Sequence, residues 1–325
     1  MRKLFHGLAA VAAFGFVAAS GAVHAQDYPS RTVRIIVAQP PGGGTDTIAR
    51  LIADRLSKQL AQTFIVENRP GAGMNVGTEA AARAEADGYT LLLGLNGNMA
   101  VNPSLFSNLR YDPLRDFTGV AMLANYPFLL VVNKDLPAKS VKELIDLAKA
   151  KPGTINFASA GNGTGQQLAM ELFMILTGTK FAHVPYRGAQ AAYVDVFSGQ
   201  VPIFFDNIST AAAQVKGGMV RALAITTKER SKLLPDLPTV AESGVPTFEY
   251  HTWFGLWAPS KTPRPIIEKL NAEVRKALSD PEVVKIITAS SGEPATMPLA
   301  DIEPFVKAEI TKWAEVVKKA GIKVE

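Results

Sequence analysis

The sequence predicts a mixed α/β protein of two domains that are joined by two crossing segments. The first observation is a unit of strand, glycine-rich turn and helix, which occurs near the start of the chain and again in its middle. The second is a pair of long, extended, apolar segments, 116–133 and 247–260, each suited to pass from one domain to the other. Helical patterns follow the second segment, and we expect those helices to pack on the first domain.

The first unit occupies residues 33–60. Residues 33–38 are apolar except for Arg34 and rich in β-branched side chains, which is typical of a strand buried on both faces. Two prolines stop the run, three glycines follow, and a helical apolar stripe then begins at about Thr45. The N–H groups at such a helix start carry partial positive charge, and glycines let a ligand approach them closely. An anion is therefore the expected ligand, although glycines that only tighten a turn explain the pattern equally well.

Further units follow the same plan. In the second half of the chain, a strand at 155–159, a glycine turn at 160–165 and a helix at 166–177 repeat the opening motif. In the first half, Asn75, Asn96 and Asn98 follow predicted strands. The carboxyl ends of parallel strands meet at one sheet edge, where ligands bind. These asparagines are candidates to reach that edge, although loop asparagines are also common turn formers.

Residues 1–25 have the pattern of a secretory signal peptide. Arg2 and Lys3 precede a small-residue apolar stretch at 8–19, and Val23-His24-Ala25 is similar to an A-x-A cleavage site. Cleavage after Ala25 would leave a mature chain that begins at Gln26 and carries a net charge of +3 rather than +5. A lipoprotein anchor would need a cysteine at the cleavage point, and the sequence has none.

The sequence lacks the signatures of several enzyme classes. GAGMNVG (71–77) places its third glycine one position late for the dinucleotide fingerprint, and no phosphate loop or Gly-x-Ser-x-Gly elbow occurs. His183 and His251 are the only histidines of the predicted mature chain, and neither has a second histidine at zinc spacing. We therefore expect no catalytic residues, no metal and no cofactor. Neutral donors without a general base favour binding over catalysis.

The charge distribution argues against a nucleic-acid partner, because no basic cluster is interleaved with aromatic residues. A mildly positive chain suits an anionic small molecule without demanding one. We expect a monomer.

Seven motifs together resemble the tripartite tricarboxylate transporter substrate-binding proteins, the Bug-type solute receptors. The motifs are YPSRTVRIIVAQPPGGGTDTIAR (28–50), VENRPGAGMNVG (66–77), ADGYTLLL (86–93), FASAGNGT (157–164), HVPYRGAQAA (183–192), GQVPIFFDN (199–207) and LPTVAESGVPTFE (237–249). The resemblance implies a two-domain clamshell of the type II-like periplasmic binding protein class and a periplasmic location. It also implies capture of a small carboxylate for a membrane permease, in a family not known for enzymes.

The same resemblance implies where the ligand binds. The first-domain contacts are expected at Pro41, Gly42, Gly43, Gly44, Thr45, Asn75 and Asn96. The second-domain contacts are expected at Ser159, Ala160, Gly161, Asn162, Gly163, Thr164, Tyr186, Arg187 and Asp206. Asp46 would repel a carboxylate unless it caps its helix or points away, which we expect. Asp206 would hold an ammonium group of an amino acid ligand or, with a dicarboxylate, bond backbone amides of its own domain.

The predicted domains are 26–125 with 248–325, and 126–247. Two other functions are open: an exported hydrolase or isomerase that acts on a carboxylate, and a sensor subunit that presents its ligand to a membrane receptor. The ligand is equally open among aromatic diacids, C4 diacids, tricarboxylates, nicotinate-like rings and acidic amino acids. Backbone donors recognise the carboxylate and not the rest of the molecule.

Overall fold

The computed structural model describes residues 28–231 and 234–322, so the predicted signal peptide lies outside the described residues. The strands are β1 Val33–Val37, β2 Phe64–Asn68, β3 Thr90–Leu95, β4 Phe117–Asn133, β5 Asn156–Ser159, β6 Ala182–Pro185, β7 Ile203–Asn207, β8 Val220–Ile225, β9 His251–Pro259 and β10 Glu293–Pro294. The helices are α1 Gly44–Leu60, α2 Asn75–Ala82, α3 Asn102–Leu105, α4 Pro113–Asp116, α5 Val141–Ala150, α6 Gly165–Thr177, α7 Ala189–Ser198, α8 Ile208–Lys216, α9 Arg264–Leu278, α10 Pro281–Ala289 and α11 Ile302–Ala320.

The long strand β4 divides the molecule into two lobes. Its residues 117–127 pair antiparallel with β9, which also pairs with β3, and β3 continues through β1 to β2. Its residues 128–133 pair instead with β7 and β8, and β7 continues through β5 to β6. We call the β1–β3 and β9 side the first lobe and the β5–β8 side the second lobe. Both sides combine parallel pairs with the antiparallel crossing strand.

The change of partner occurs between Pro127 and Phe128, where β4 passes from one lobe to the other. The second crossing lies close by, since the Tyr250 N–H donates to the Thr226 carbonyl of the second lobe (2.9 Å) and β9 begins at the next residue. The predicted division at 125/126 and 247/248 stays a prediction. The two crossings nevertheless run side by side, as a hinge between lobes requires.

The helices cover the sheet with the stripes that the sequence predicts. Ile48, Ile52 and Leu56 of α1 are buried against the first-lobe strands and α9. Helices α1 and α6 begin at Gly44 and Gly165, each one residue before its predicted start. Burying such apolar stripes supplies the main driving force for folding.

The C-terminal helix α11 contacts both lobes. It packs on α3 and the π-helical turn at Gly97–Val101 in the first lobe and on α6 in the second. Its Glu309 Oε2 accepts hydrogen bonds from the indole N–H groups of Trp253 and Trp313, both at 3.0 Å. The sequence predicts packing on the first domain alone. The sequence does not predict the contact with α6, because the apolar pattern along one helix does not show which other elements pack against it.

Candidate functional site

A cavity of about 720 Å³ lies between the lobes. Its lining combines residues of the first lobe, the two crossings and the start of α6. The lining residues are Gln39, Thr45, Ala72, Gly73, Met74, Leu95, Asn96, Gly97, Asn102, Leu105, Phe106, Phe128, Asn162, Gly163, Thr164, Gly165, Gln166, Leu168, Asn207, Tyr250, Thr252 and Phe254. None of these described residues is acidic, basic or a histidine.

The start of α6 provides hydrogen-bond donors on the second-lobe side. Thr164 is the N-cap residue, but its hydroxyl donates to the Gly161 carbonyl (2.7 Å). Its side chain therefore accepts no capping hydrogen bond from the N–H groups of α6 in the described chain. The Gly163 N–H already donates to Gln167 Oε1 (2.8 Å). The first N–H groups of a helix have no intrahelical acceptor, so those of α6 are available to a ligand. The helix dipole adds partial positive charge at the same end.

The start of α1 contributes less directly. Thr45 lines the cavity, and its hydroxyl donates to Gln39 Oε1 (2.5 Å). Pro41, Gly42, Gly43 and Gly44 form an exposed loop outside the cavity lining. A Cβ added at any of the three glycines would find no described atom within 4 Å. Gly42 has φ +88°, so its backbone conformation favours glycine, whereas Gly43 is extended with φ −85°.

The Asp46 carboxylate is held by hydrogen bonds from residues of its own lobe. Its Oδ2 accepts from the Gly42 N–H (3.0 Å) and from Arg50 Nε (2.9 Å), and its Oδ1 accepts from Asn68 Nδ2 (3.0 Å). The hydrogen bond from Arg50 outweighs the opposing effect of burial and lowers the pKa of Asp46 to about 2. The carboxylate therefore serves the loop that precedes α1, and its charge is offset by Arg50.

Asn96 and Asn75 have different environments. Asn96 lines the cavity, is buried, and donates from Nδ2 to the Tyr250 hydroxyl (3.3 Å). Asn75 is also buried but lies outside the cavity lining, where its Oδ1 accepts from Asn102 Nδ2 (2.8 Å). The Asn75 side chain is thus held inside the first lobe.

The strand-end residues Ser159, Ala160 and Gly161 lie outside the cavity lining. Ser159 is buried, and its Oγ lies 2.6 Å from His183 Nε2 and accepts from the Gly161 N–H (3.2 Å). Burial lowers the pKa of His183, which favours the neutral ring. The serine is held within its own turn, so this Ser–His pair has the environment of a structural contact and not of an exposed nucleophile.

Tyr186, Arg187 and Asp206 likewise lie outside the cavity lining. The Tyr186 hydroxyl donates to Asp195 Oδ2 of α7 (2.5 Å), and Arg187 is exposed and makes no hydrogen bond or ion pair with the residues that the structure describes. Asp206 is buried and accepts from two second-lobe side chains, Gln166 Nε2 (3.2 Å) and Thr210 Oγ1 (2.5 Å). Burial raises the pKa of Asp206.

The structure thus brings Thr45, Asn96, Asn162, Gly163 and Thr164 together around one cavity. That these residues contact the ligand stays a prediction, and the same holds for the other residues predicted from the sequence. Sequence reasoning missed much of the remaining lining, notably Gln39, Phe106 and Gln166. It also missed Tyr250, although the aromatic segment 247–260 that contains it was recognised as a crossing. Across residues 28–231 and 234–322, no group of three or more acidic, histidine or cysteine side chains could hold a metal.

No helix in the described part of the chain has both the length and the apolarity to cross a membrane.

Comparisons with known proteins show which family the chain belongs to. Residues 48–322 match the family described as "Tripartite tricarboxylate transporter family receptor". Protein BugT of Bordetella pertussis is 38% identical over 314 residues, which cover 95% of this chain and 96% of BugT. The structure of R. palustris Rpa4515 with adipate superposes with a TM-score of 0.79 at 37% identity, covering 92% of this chain and 100% of that one. MatC (Rpa3494) from Rhodopseudomonas palustris with bound malate gives 0.75 at 35% identity, with coverage of 89% and 100%.

These structures confirm the predicted fold class, an α/β clamshell of the periplasmic solute-binding type. The family match and the BugT relationship confirm the resemblance read from the seven motifs. The chain therefore belongs to the tripartite tricarboxylate transporter receptor family and is a Bug-type solute-binding protein.

Proposed function

We propose that this protein is a periplasmic receptor that captures a small carboxylate between its two lobes and delivers it to a tripartite tricarboxylate-type membrane permease. The observation that carries the proposal is the cavity between the lobes, with the start of α6 on one side and Thr45 of α1 on the other. Two helix N-termini at one cavity favour an anion. The absence of charged side chains among its described lining residues leaves backbone and neutral groups to bind it.

The site residues of the proposal are those predicted from the sequence together with the lining residues that the structure adds. Thr45, Asn162, Gly163 and Thr164 line the cavity, and we expect a bound carboxylate to contact them directly or through ordered water. The glycine loop before α1 lies outside the present lining, so it would reach the ligand only when the lobes close. The related structures with adipate and malate support a carboxylate as the ligand class.

Location and partners complete the proposal. Cleavage after Ala25 releases the mature chain into the periplasm, where it acts as a monomer and has no enzymatic activity. The buried environment of Ser159 supports binding over catalysis, because a hydrolase would expose its nucleophile to substrate. The permease is the expected acceptor of the ligand, and a membrane sensor is the alternative.

A thermal-shift screen tests the proposal. The mature chain is heated with a panel of aromatic, C4, C6, tricarboxylic and amino acids, each as its carboxylate. A ligand at 100 times its dissociation constant adds about 2.7 kcal/mol to the free energy of unfolding, which gives a clear rise in Tm. A panel in which no carboxylate raises Tm, or hydrolysis of carboxylate esters by the pure protein, would contradict it.

A further inference from the structure

Part of the first-lobe side of the cavity is an apolar wall. We define this wall by four lining residues: Met74, Leu95, Leu105 and Phe106. From this wall we infer that the ligand is a carboxylate with a hydrocarbon body, aliphatic or aromatic, that carries no hydroxyl or amino group, and that Phe106 determines this preference. The inference rests on the proposed function, because it concerns the body of the ligand whose carboxylate that function places in the same cavity.

Two glycines allow the wall to form. A Cβ at Gly73 would lie 2.8 Å from the ring Cζ of Phe106, and a Cβ at Gly97 would lie 2.5 Å from the Cε of Met74. Gly73 also has φ +61°, so the Phe106 ring packs against backbone that favours glycine, whereas the flexible end of Met74 lies over Gly97. Phe106 also packs against the buried core that includes Leu105, yet it stays half-buried. The wall is therefore held in place and still accessible from the cavity.

The side-chain amide groups of Asn96 and Asn102, on the first-lobe side, already donate to protein acceptors. The Asn102 Nδ2 donates to the Gly73 carbonyl and to Asn75 Oδ1, both at 2.8 Å. The Asn96 Nδ2 donates to Tyr250. A ligand hydroxyl placed against Met74, Leu95, Leu105 and Phe106 would lose its water without gaining a hydrogen-bond partner from these side chains, which is unfavourable. A methylene or aromatic ring would gain from burial against the same surface.

The available donors belong to the second-lobe side of the cavity, at the start of α6. A ligand therefore has a favoured orientation, with its carboxylate at α6 and its body against the apolar wall. An ammonium group has no carboxylate to pair with among the described lining residues. Asp206, the residue that the sequence offers for an ammonium group, lies outside the lining and already accepts from Gln166 and Thr210. This disfavours amino acids.

Calorimetry with matched probes tests the ligand class. The mature chain is titrated with benzoate and 4-hydroxybenzoate, with hexanoate and 6-hydroxyhexanoate, and with malate as a hydroxylated diacid. The unsubstituted member of each pair should bind at least about tenfold more tightly than its hydroxylated partner, and more tightly than malate. Tightest binding of malate or of a hydroxylated probe would overturn this inference and leave the proposed function standing. Binding of none of the five would also overturn the inference, whereas the proposed function is decided by the wider thermal-shift panel.

Two variants test the role of Phe106. Phe106→Asn places a polar amide in the wall, and Phe106→Leu keeps the wall apolar as the matched control. Phe106→Asn should weaken binding of the unsubstituted probe about tenfold and bring each pair to nearly equal affinity, while Phe106→Leu should keep the wild-type ratio. A wild-type ratio in folded Phe106→Asn would show that another residue sets the preference. Circular dichroism shows whether each variant is folded. If neither variant folds, the ratio of affinities measured with the wild-type protein still tests the ligand class.

Discussion

The amide nitrogen of Asn96 lies 3.3 Å from the hydroxyl of Tyr250, and this contact joins the first lobe to the second crossing at the wall of the cavity. The same hydroxyl reaches the second lobe, since a Cβ at Gly165 would lie closer to it than any real contact allows. Tyr250 therefore lies where the end of β3, the crossing and the start of α6 meet. We expect it to link ligand binding to the relative position of the lobes.

Replacing Tyr250 with phenylalanine tests this link. The variant keeps the ring, which packs edge-on against Phe128 and Trp313, and removes only the hydroxyl. The buried Asn96 amide then loses its acceptor, which should cost about 1 kcal/mol of folding free energy and weaken carboxylate binding severalfold. Calorimetry and thermal unfolding measure both effects.

Tyr126→Phe is the control for this variant. Tyr126 is also buried, and its hydroxyl lies 3.0 Å from Ser290 Oγ, away from the cavity lining. It should leave the affinity unchanged. Equal loss of affinity in both variants would mean that the Tyr250 hydroxyl has no specific role in binding.

Gly165 should tolerate no side chain. A Cβ there would lie 3.0 Å from the Phe128 ring as well as against the Tyr250 hydroxyl. Gly165→Ala should therefore lower the free energy of unfolding by about 1–3 kcal/mol, as overpacking does, and weaken ligand binding. Denaturant unfolding monitored by circular dichroism gives the stability.

The matched control is Gly44→Ala at the first position of α1. A Cβ at Gly44 would meet no described atom within 4 Å, and alanine is the better helix former. This variant should be as stable as the wild type or slightly more so. If Gly165→Ala unfolds at the same denaturant concentration as Gly44→Ala, the close packing at the start of α6 is not a constraint.

Asp46 should stabilise the protein in a pH-dependent way. Its pKa is lowered to about 2 in the folded chain, chiefly by the hydrogen bond from Arg50, from an ordinary value of 3.8. A lowered folded pKa contributes stability above the unfolded pKa, and this contribution is lost as pH falls through the folded pKa. The wild type should therefore be more stable than Asp46→Asn near neutral pH, and the difference should shrink between about pH 4 and about pH 2.

Urea unfolding across this pH range measures the difference. Asp54→Asn is the control, because Asp54 makes an exposed ion pair with Lys58 four residues on (2.8 Å). Such pairs contribute little, so this variant should follow the wild type at every pH. A pH-independent gap between the wild type and Asp46→Asn would show that the charge of Asp46 is not what stabilises the loop.

Export is tested by the first residue of the mature protein. The chain isolated from the periplasm of an expressing bacterium should begin at Gln26. N-terminal sequencing and fractionation give the answer directly. A protein that retains Met1 and stays in the cytoplasmic fraction would contradict the periplasmic assignment.

The starts of α1 and α6 could be predicted from the sequence because their signals are local. Glycines break the chain and a regular apolar stripe follows, so each observed start is within one residue of the prediction. Asn96 and Asn98 follow β3 as the sequence predicts, but the sequence gives no sign of the π-helical turn that begins at Gly97. Asn98 helps to hold this segment, because its Oδ1 accepts from the Leu95 N–H and its Nδ2 donates to Thr78 of α2. The partner Thr78 comes from another element, which periodicity does not reveal.

The lining of the cavity could be predicted only in part, for the same reason. Thr45 and Gly163 were predicted because each lies in a glycine-rich turn at a helix start and in a motif shared with the receptor family. Phe106 was not, since it lies outside any such motif and reaches the cavity only by packing over Gly73. Tyr250 lies in a segment whose aromatic composition indicates burial but not which ring faces a ligand. Motifs therefore identified the polar end of the cavity, and its apolar wall required the tertiary structure.

The central claim is that the cavity binds a carboxylate through the donors at the helix starts. Calorimetry with the panel acid that raises Tm most, and with its methyl ester, tests this claim most directly. Esterification keeps the body of the ligand and removes the negative charge that the donors at α6 would bind. The acid should bind at least about 100 times more tightly than the ester, a difference of about 2.7 kcal/mol. Equal affinities for acid and ester would contradict the claim.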